Sequence, residues 1–470
     1  MKLISHRTIQ WAVIAFLFIG LAGCQKHLKE NEEEILSSSN HGHGNDEDAR
    51  NYSSKVIREW MNVQLRIMQS APPGVGLFNS RYIGYNGVAV YEAIVPGMQG
   101  YQSLAGQLNG LGALPHIQND KKYHWPSAAN TALATMNRSF YTTASPYFKG
   151  LIDSLENAFN TQFQAEVGMQ TFTRSSNFGK AIAQAIFAWS TTDGSAGPFP
   201  AYVPPVGPGL WQPTPPAFAP AVGPYYGTTR TFVLGSLNGS VPVPPSPYSA
   251  DPTSAYYLRE KEVYDISQTL TPQQTAQALY YRDNPGFQGG GGAYLSLLYQ
   301  LLQIERPRLD EAAYDFALTG IGLADAIIGC WKAKYDPIFN DERPIRYIRT
   351  ELGHPAWNPL FATPPHPDVP SGHSTGAGAM EIVFNKLFGK HYQFTNHAYD
   401  TLGMPPQVYA NFGDMAKQIG DSRVFAGIHT RYACIAGRQQ GNKIASNIIK
   451  RLKFKGHQGH NDHWEDDDDD

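Results

Sequence analysis

Long stretches of helical apolar spacing recur along this chain and restrict it to a mainly helical fold. The clearest stretch covers residues 311–332, where apolar side chains repeat at helical intervals: Ala312, Phe316, Leu318, Ile321, Leu323, Ala324, Ile327 and Ile328. Similar patterns cover residues 52–71, 81–94, 127–141, 147–164, 172–191, 293–304, 374–388 and 414–451. The sustained alternation that is typical of β-strands is hard to find. The chain is therefore predicted to be all-α, as one compact helical bundle.

Length, charge and cysteine content limit the class of protein further. The chain has 470 residues, enough for one large domain or two ordinary ones with a sizeable core. Its net charge of −3 argues against nucleic acid as the main partner. After Cys24 only Cys330 and Cys434 remain, and the sequence leaves their pairing open. This is not a protein built on disulfides.

The first 24 residues have the features of an export signal. Lys2 and Arg7 precede an apolar run at residues 11–21, which is too short and wrongly flanked for a membrane-spanning helix. The run ends in Leu-Ala-Gly-Cys24, which resembles a bacterial lipobox, so Cys24 is predicted to carry a lipid anchor. A signal peptide that happens to end in cysteine is the alternative. We expect an exported bacterial lipoprotein, facing the periplasm or lying at the cell surface of the outer membrane.

Composition divides the rest of the chain. The polar residues 25–51 are predicted to form a flexible tether, and residues 457–470 an acidic, solvated tail. Residues 52–456 form the predicted helical domain, with the chemical motifs in its second half at residues 310–452. Prolines and aromatic residues alternate irregularly between about residues 194 and 252. Because prolines exclude regular helix and the aromatics argue against disorder, we predict a long ordered loop packed over the helices, with a domain linker as the alternative.

Three separate segments carry side chains that suit a negatively charged tetrahedral ligand. Pro370–His373 places a hydroxyl, a glycine and a histidine at a helix N-terminus, where free N–H groups and the helix dipole favour an anion. Lys334 and Arg343 precede this stretch, and Arg423 and His429 follow it. Arginine offers forked donors, and lysine offers a compact charge. Each segment alone also suits an ordinary role, such as a helix cap, a surface charge or a buried histidine. Together they indicate an oxyanion site.

The order of these motifs resembles that of a known superfamily. Lysine and Arg-Pro are followed by Pro-Ser-Gly-His at residues 370–373 and by Ser-Arg-x5-His at residues 422–429. This order is similar to that of the vanadium-dependent haloperoxidases and type 2 phosphatidic acid phosphatases, over roughly residues 325–445. Residues 209–216, Gly-Leu-Trp-Gln-Pro-Thr-Pro-Pro, resemble the bacterial haloperoxidase-like lipoprotein branch. The resemblance implies the helical bundle of the haloperoxidase and acid phosphatase fold.

The resemblance also implies a role for each matching residue. His429 would bind vanadium through a ring nitrogen, or attack phosphorus in a phosphatase. His373 would be the general acid–base group, and His366 and Trp331 would line a halide pocket, with core packing as the alternative for Trp331. The oxygens of vanadate, or of phosphate as a competing occupant, would be held by five residues: Lys334, Arg343, Ser371, Gly372 and Arg423.

Two departures from the family pattern affect this prediction. Eight residues separate Lys334 from Arg343, more than is usual in the family, and Lys332 is a competing candidate. The phosphatases carry an aspartate shortly after the last histidine, where this chain has Ala433. Because that aspartate orients the nucleophilic histidine, its absence disfavours a phosphatase. The group that orients His429 would then come from elsewhere, for example from a backbone carbonyl.

The predicted function is vanadate-dependent oxidation of halide by hydrogen peroxide, which yields hypohalous acid or a halogenated organic acceptor. One alternative is an acid phosphatase with a phosphohistidine at His429. Another is a surface lipoprotein that binds an oxyanion without catalysis. The predicted partners are hydrogen peroxide, halide, a small organic acceptor and a membrane through Cys24 alone. The sequence leaves open the preferred halide, the acceptor and whether the chain forms a homo-oligomer.

Overall fold

Twelve α-helices make up most of the structure, a computed structural model that describes residues 48–70, 76–282 and 291–456. They are α1 (Lys55–Ser70), α2 (Gly76–Ile94), α3 (Trp125–Phe140), α4 (Pro146–Ser190), α5 (Ala255–Gln268), α6 (Pro272–Tyr280), α7 (Gly292–Glu305), α8 (Leu309–Lys334), α9 (Pro344–Thr350), α10 (Gly372–Phe388), α11 (Phe412–Phe425) and α12 (Arg431–Arg451). Two short strands, β1 (Phe394–Asn396) and β2 (Gln407–Tyr409), pair antiparallel. The predicted all-α class is confirmed.

Glycines interrupt the predicted helical pattern at two places. The stretches at residues 147–164 and 172–191 join in α4, which is broken at Gly168, where φ is 76°. The stretch at residues 414–451 contains α11 and α12, and the turn between them includes Gly427 with φ of 76°. Only glycine adopts this left-handed backbone without strain, so each glycine sets the place of the break.

The central helix of the bundle is α8, which packs against α2, α10 and α12. Among the described residues it is the one helix long and apolar enough to cross a membrane, and 94% of its most apolar window is buried inside the protein. A helix that is apolar on all its faces is typical of a protein core. The C-terminal end of this helix therefore brings Trp331 and Lys334 into the interior, where both are buried.

Helices α10 and α12 approach each other so closely that their crossing requires glycine. A Cβ atom on Gly441 would lie 2.0 Å from the carbonyl oxygen of Thr375 in α10. We expect Gly441→Ala to force the helices apart and to lower the free energy of unfolding by about 3 kcal/mol. Gly150→Ala is the matched control, because a Cβ at this position of α4 would meet nothing within 4 Å. The control should be neutral or stabilising by up to about 1 kcal/mol. Equal urea midpoints for the two variants would contradict this account of the packing.

The proline-rich segment at residues 194–252 is an ordered loop packed on the helices, as predicted. Its aromatic side chains Trp211 and Phe232 are buried. The carboxylate of Asp325 in α8 accepts the backbone N–H of Phe232 at 2.6 Å, which anchors the loop to the central helix. The carbonyl of Val222 accepts the indole N–H of Trp331 at 3.1 Å. The loop therefore reaches the end of α8 that carries the predicted site residues.

Several predictions concern residues outside the described ranges. These are the export signal with its lipid anchor at Cys24, residues 25–47 of the tether and the acidic tail. The packed part of the chain begins slightly before the predicted boundary at residue 52, because Ala49 is buried in a short 3₁₀ turn. Cys330 and Cys434 are both free and buried.

Candidate active site

The predicted site residues lie at the ends of five helices. Lys334 is the last residue of α8, and Arg343 is the N-cap of α9. Ser371 caps α10, Arg423 lies in the last turn of α11, and His429 lies two residues before the start of α12. Helix ends carry backbone groups that lack partners inside the helix, so a cluster of ends can serve a polar ligand.

Two side-chain caps hold the helix ends at the site. The Ser371 hydroxyl accepts the backbone N–H of Ser374 at 3.4 Å, and the Thr430 hydroxyl accepts that of Ala433 at 3.2 Å. The backbone N–H of Ser371 donates to the carbonyl of Ala433 at 2.9 Å, which ties the start of α10 to the start of α12. The Ser371–His373 stretch and His429 are therefore held on adjoining helix starts.

Arg343 connects the segment before α10 with the segment before α12. Its Nε donates to the carbonyl of His366 at 2.6 Å, and its Nη1 donates to the carbonyl of Ile428 at 2.5 Å. Nη1 also lies 3.1 Å from Nε2 of His429, and Nη2 lies 2.9 Å from Nδ1 of His366. The planar guanidinium thus holds both histidines from a side chain that is 1% exposed.

Lys334, rather than its competitor Lys332, is the lysine of the site. Lys334 is fully buried, whereas Lys332 is exposed. The Lys334 ammonium donates to the carbonyls of Pro367 at 2.6 Å and Asp368 at 3.2 Å, in the same segment that Arg343 contacts. The long separation between the two cations is accommodated by a loop whose Phe339 is buried. The departure in spacing therefore does not remove either cation from the site.

The two residues predicted to line a halide pocket are in contact. The rings of Trp331 and His366 lie 5.2 Å apart between centroids, at an interplanar angle of 55°. A Cβ on Gly372 would lie 3.1 Å from the Trp331 ring, so glycine lets the start of α10 approach the indole closely. Trp331 is also part of the buried core, so the same side chain packs in the core and contacts His366.

Arg423 and His373 influence His429 through their charges. Burial lowers the pKa of His429 well below its usual value, and Arg343, Lys334, Arg423 and His373 lower it further. The Nη1 of Arg423 donates to the carbonyl of Tyr281 at 2.5 Å, which fixes the guanidinium at the end of α11. The imidazole of His429 is therefore neutral at neutral pH, the form in which a ring nitrogen can act as a ligand or nucleophile.

The sequence interpretation missed Asp368, a fully buried carboxylate of the site. Its Oδ1 lies 2.5 Å from Nδ1 of His429, and its Oδ2 accepts the Thr430 hydroxyl at 2.7 Å. The suggestion that a backbone carbonyl holds His429 was wrong. The argument against a phosphatase from Ala433 also fails, because Asp368 supplies the carboxylate that this position lacks. The only sequence signal was an acidic residue two positions before the Pro-Ser-Gly-His motif at residues 370–373.

The donor set fits a tetrahedral oxyanion such as vanadate or phosphate. Lys334, Arg343 and Arg423 are each at most 1% exposed, and the carboxylate of Asp368 lies 3.7 Å from Arg343. Burial lowers the pKa of Lys334 to about 7 and that of Arg343 to about 10. Buried cations in excess of their carboxylate partner are costly, so an anion with several oxygens would stabilise their charged forms.

The fold and this arrangement of side chains define a helical-bundle protein whose buried cations suit an oxyanion. Residues 315–456 match the family model for the VCPO second helical-bundle domain. An alignment of 198 residues gives 27% identity to vanadium chloroperoxidase from Curvularia inaequalis. That match covers 35% of this chain and about a third of the relative, 32% of its length.

Solved structures extend the likeness to most of the chain. The first bacterial vanadium-dependent iodoperoxidase superimposes with a TM-score of 0.77 at 28% identity, over 86% of this chain and 97% of that one. The holo form of a bacterial vanadium-dependent chloroperoxidase gives a TM-score of 0.61 at 15% identity, over 81% of this chain and 93% of that one. The resemblance seen in the motifs is therefore confirmed: the chain has the fold of the vanadium haloperoxidases and carries their second helical-bundle domain.

Proposed function

We propose that this protein is a vanadium-dependent haloperoxidase, which uses hydrogen peroxide to oxidise halide to hypohalous acid. The observation that carries the proposal is the cluster of three buried cations around a neutral His429. The helical haloperoxidase fold supports the same reading. Hydrogen peroxide, halide and a small organic acceptor are the proposed partners.

Each residue of the site would have its own role in holding vanadate. Vanadate, when bound, would supply a Lewis acid that activates peroxide toward halide without changing its own oxidation state. His429 would be its nitrogen ligand. Lys334, Arg343 and Arg423 would balance the negative oxygens, and the α10 N-terminus at Ser371 and Gly372 would add backbone donors.

Two further side chains would handle protons and halide. His373, the second residue of α10, would move protons to and from peroxide as a general acid–base group. His366 and Trp331, in contact with each other beside Arg343, would form one wall of the halide pocket. Because Arg343 binds both His366 and His429, the proposed halide wall and the proposed metal ligand share one positioning side chain.

A paired assay tests this proposal. Purified protein is given vanadate, hydrogen peroxide and each halide in turn, and is separately given an aryl phosphate without vanadate. Vanadate-dependent halide oxidation without phosphate release is the expected result. Tight anion binding with no turnover of either substrate would favour an oxyanion-binding lipoprotein instead.

One observation favours the alternative of an acid phosphatase. The contact between Asp368 and His429 at 2.5 Å provides the carboxylate–histidine pair that a phosphohistidine mechanism needs. In that mechanism His429 would attack phosphorus and His373 would protonate the leaving group. Release of phosphate from the aryl ester, together with no halide oxidation, would establish the phosphatase and remove the haloperoxidase.

A lipid anchor at Cys24 and export to the outer membrane are part of the same proposal. They rest on the lipobox-like ending of the N-terminal apolar run. Metabolic labelling with a radioactive fatty acid, compared between the natural chain and Cys24→Ala, measures the anchor directly. Equal labelling of both chains would reject it.

A further inference from the structure

Asp368 has two oxygens with different partners. Oδ1 lies 2.5 Å from Nδ1 of His429. Oδ2 accepts the hydroxyl of Thr430 at 2.7 Å and the backbone N–H of the same residue at 3.3 Å. Burial raises the pKa of Asp368, whereas the guanidinium of Arg343, at 3.7 Å from Oδ1, and the Thr430 hydroxyl on Oδ2 oppose that shift and favour the ionised carboxylate. An ionised carboxylate can only accept, so the hydrogen on Nδ1 must belong to the imidazole.

We propose that Asp368 is a positioning residue that keeps the proton of His429 on Nδ1 and leaves Nε2 as the nitrogen available to vanadium. The consequence for vanadium binding rests on the proposed function, whereas the position of the proton can be measured whether or not that function is correct. Nη1 of Arg343 lies 3.1 Å from Nε2 and 3.3 Å from Nδ1, so it is the contact with Asp368 that distinguishes the two nitrogens. A residue that hydrogen-bonds to a metal-ligating histidine sets the tautomer and the orientation of its ring.

Asparagine at position 368 would reverse the tautomer. The two donors of Thr430 would attract the amide oxygen to the place of Oδ2, which turns the amide NH₂ toward Nδ1 of His429. Nδ1 would then accept a hydrogen bond, and the ring proton would move to Nε2. With a proton on Nε2, His429 could not offer that nitrogen to vanadium.

If Asp368 fixes the tautomer, its Asn and Ala variants should lose vanadate affinity in a different order from the one that a packing role alone would give. Asparagine has nearly the same size and shape as aspartate, so a packing role alone would make alanine the more damaging substitution. If the tautomer is what matters, Asp368→Asn should lose vanadate affinity at least as severely as Asp368→Ala, in which neither tautomer is enforced. We expect the dissociation constant for vanadate to rise about 10- to 100-fold in Asp368→Asn. The affinity for inorganic phosphate should stay within about threefold, because cations hold phosphate without using Nε2.

The matched control is Asp325→Asn. Asp325 is also fully buried and also accepts backbone N–H groups, at 2.6 Å from Phe232 and 3.1 Å from Val233, but these lie in the proline-rich loop. The control should bind vanadate and phosphate like the natural protein. Comparison of the two Asn variants separates the general cost of losing a buried carboxylate from an effect on His429.

The proton position itself is read from the full chain labelled with ¹⁵N-histidine. Long-range proton–nitrogen NMR spectra distinguish the two tautomers, and the His429→Ala spectrum assigns the signal. We expect the Nδ1–H form in the natural protein and the Nε2–H form in Asp368→Asn. Because the first spectrum needs no variant at position 368, the inference stays testable even if that variant does not fold.

Failure of this inference can be told from failure of the proposed function. An Nε2–H tautomer in the natural protein, or vanadate affinity in Asp368→Asn within twofold of normal, would overturn the role of Asp368 while halide oxidation could still be observed. An Nδ1–H tautomer in a protein that binds no vanadate would remove the haloperoxidase and leave the positioning role in place.

Discussion

Replacing His429 with alanine should reduce vanadate-dependent halide oxidation to the level of free vanadate, a loss of at least about 100-fold. His429 offers a neutral imidazole at a point where Arg343 and Asp368 both hold it. Without it the buried cations could still attract vanadate, but no side-chain nitrogen would bind the metal. The measurement is the initial rate of halide oxidation at saturating vanadate and peroxide, taken well below the melting temperature.

Two comparisons make this result specific. His397→Ala removes an exposed histidine paired with Asp400 at 2.7 Å, and it should leave the rate unchanged. Added imidazole should restore part of the activity of His429→Ala, since the substitution opens a space of its size. Undiminished halide oxidation in His429→Ala would remove His429 from the proposed role and the haloperoxidase assignment with it.

Arg343→Lys is expected to lower both the stability of the protein and its affinity for an oxyanion. Lysine keeps the charge but cannot reproduce the fork that reaches the carbonyls of His366 and Ile428 together. At least one of these carbonyls would lose its donor, at a cost of about 1–3 kcal/mol in the free energy of unfolding. The affinity for vanadate should fall roughly tenfold as the positive charge moves away from the oxygens. Chemical denaturation and equilibrium binding measure the two effects separately.

Arg346→Lys is the matched control for this variant. Arg346 lies in the same short helix, with a side chain that is 39% exposed and an ion pair to Glu342 at 3.3 Å. Arg346 is partly exposed and lysine keeps its positive charge beside Glu342, so the control should change the free energy of unfolding by less than about 0.5 kcal/mol. If both arginine variants lost equal stability, the forked contacts of Arg343 would not explain its importance.

The helices could be predicted from the sequence where they are long and regularly patterned. The central helix α8 was found almost to its ends because its apolar side chains repeat over many turns. By contrast α9 was missed, since its seven residues are too few for periodicity to show. Long amphipathic or apolar patterns identify an element by themselves, whereas short helices form mainly because their surroundings stabilise them.

The cations and histidines of the site could be selected from the sequence because their motifs lie in a recognisable order. Lys334, Arg343, His366 and His429 do meet, despite the long separation between the two cations. Their meeting does not depend on a fixed number of residues between them, since a loop with its own buried side chain takes up the extra length.

The sequence by itself determined the all-helical class and the identity of the charged groups that gather at the site. The tertiary structure alone decided what holds His429. Its partner Asp368 lies 61 residues earlier in the chain, and the missing aspartate near Ala433 had pointed to a backbone group instead. A buried imidazole N–H donates to whichever acceptor the packing of α10 against α12 brings beside it, and no local sequence pattern predicts that contact.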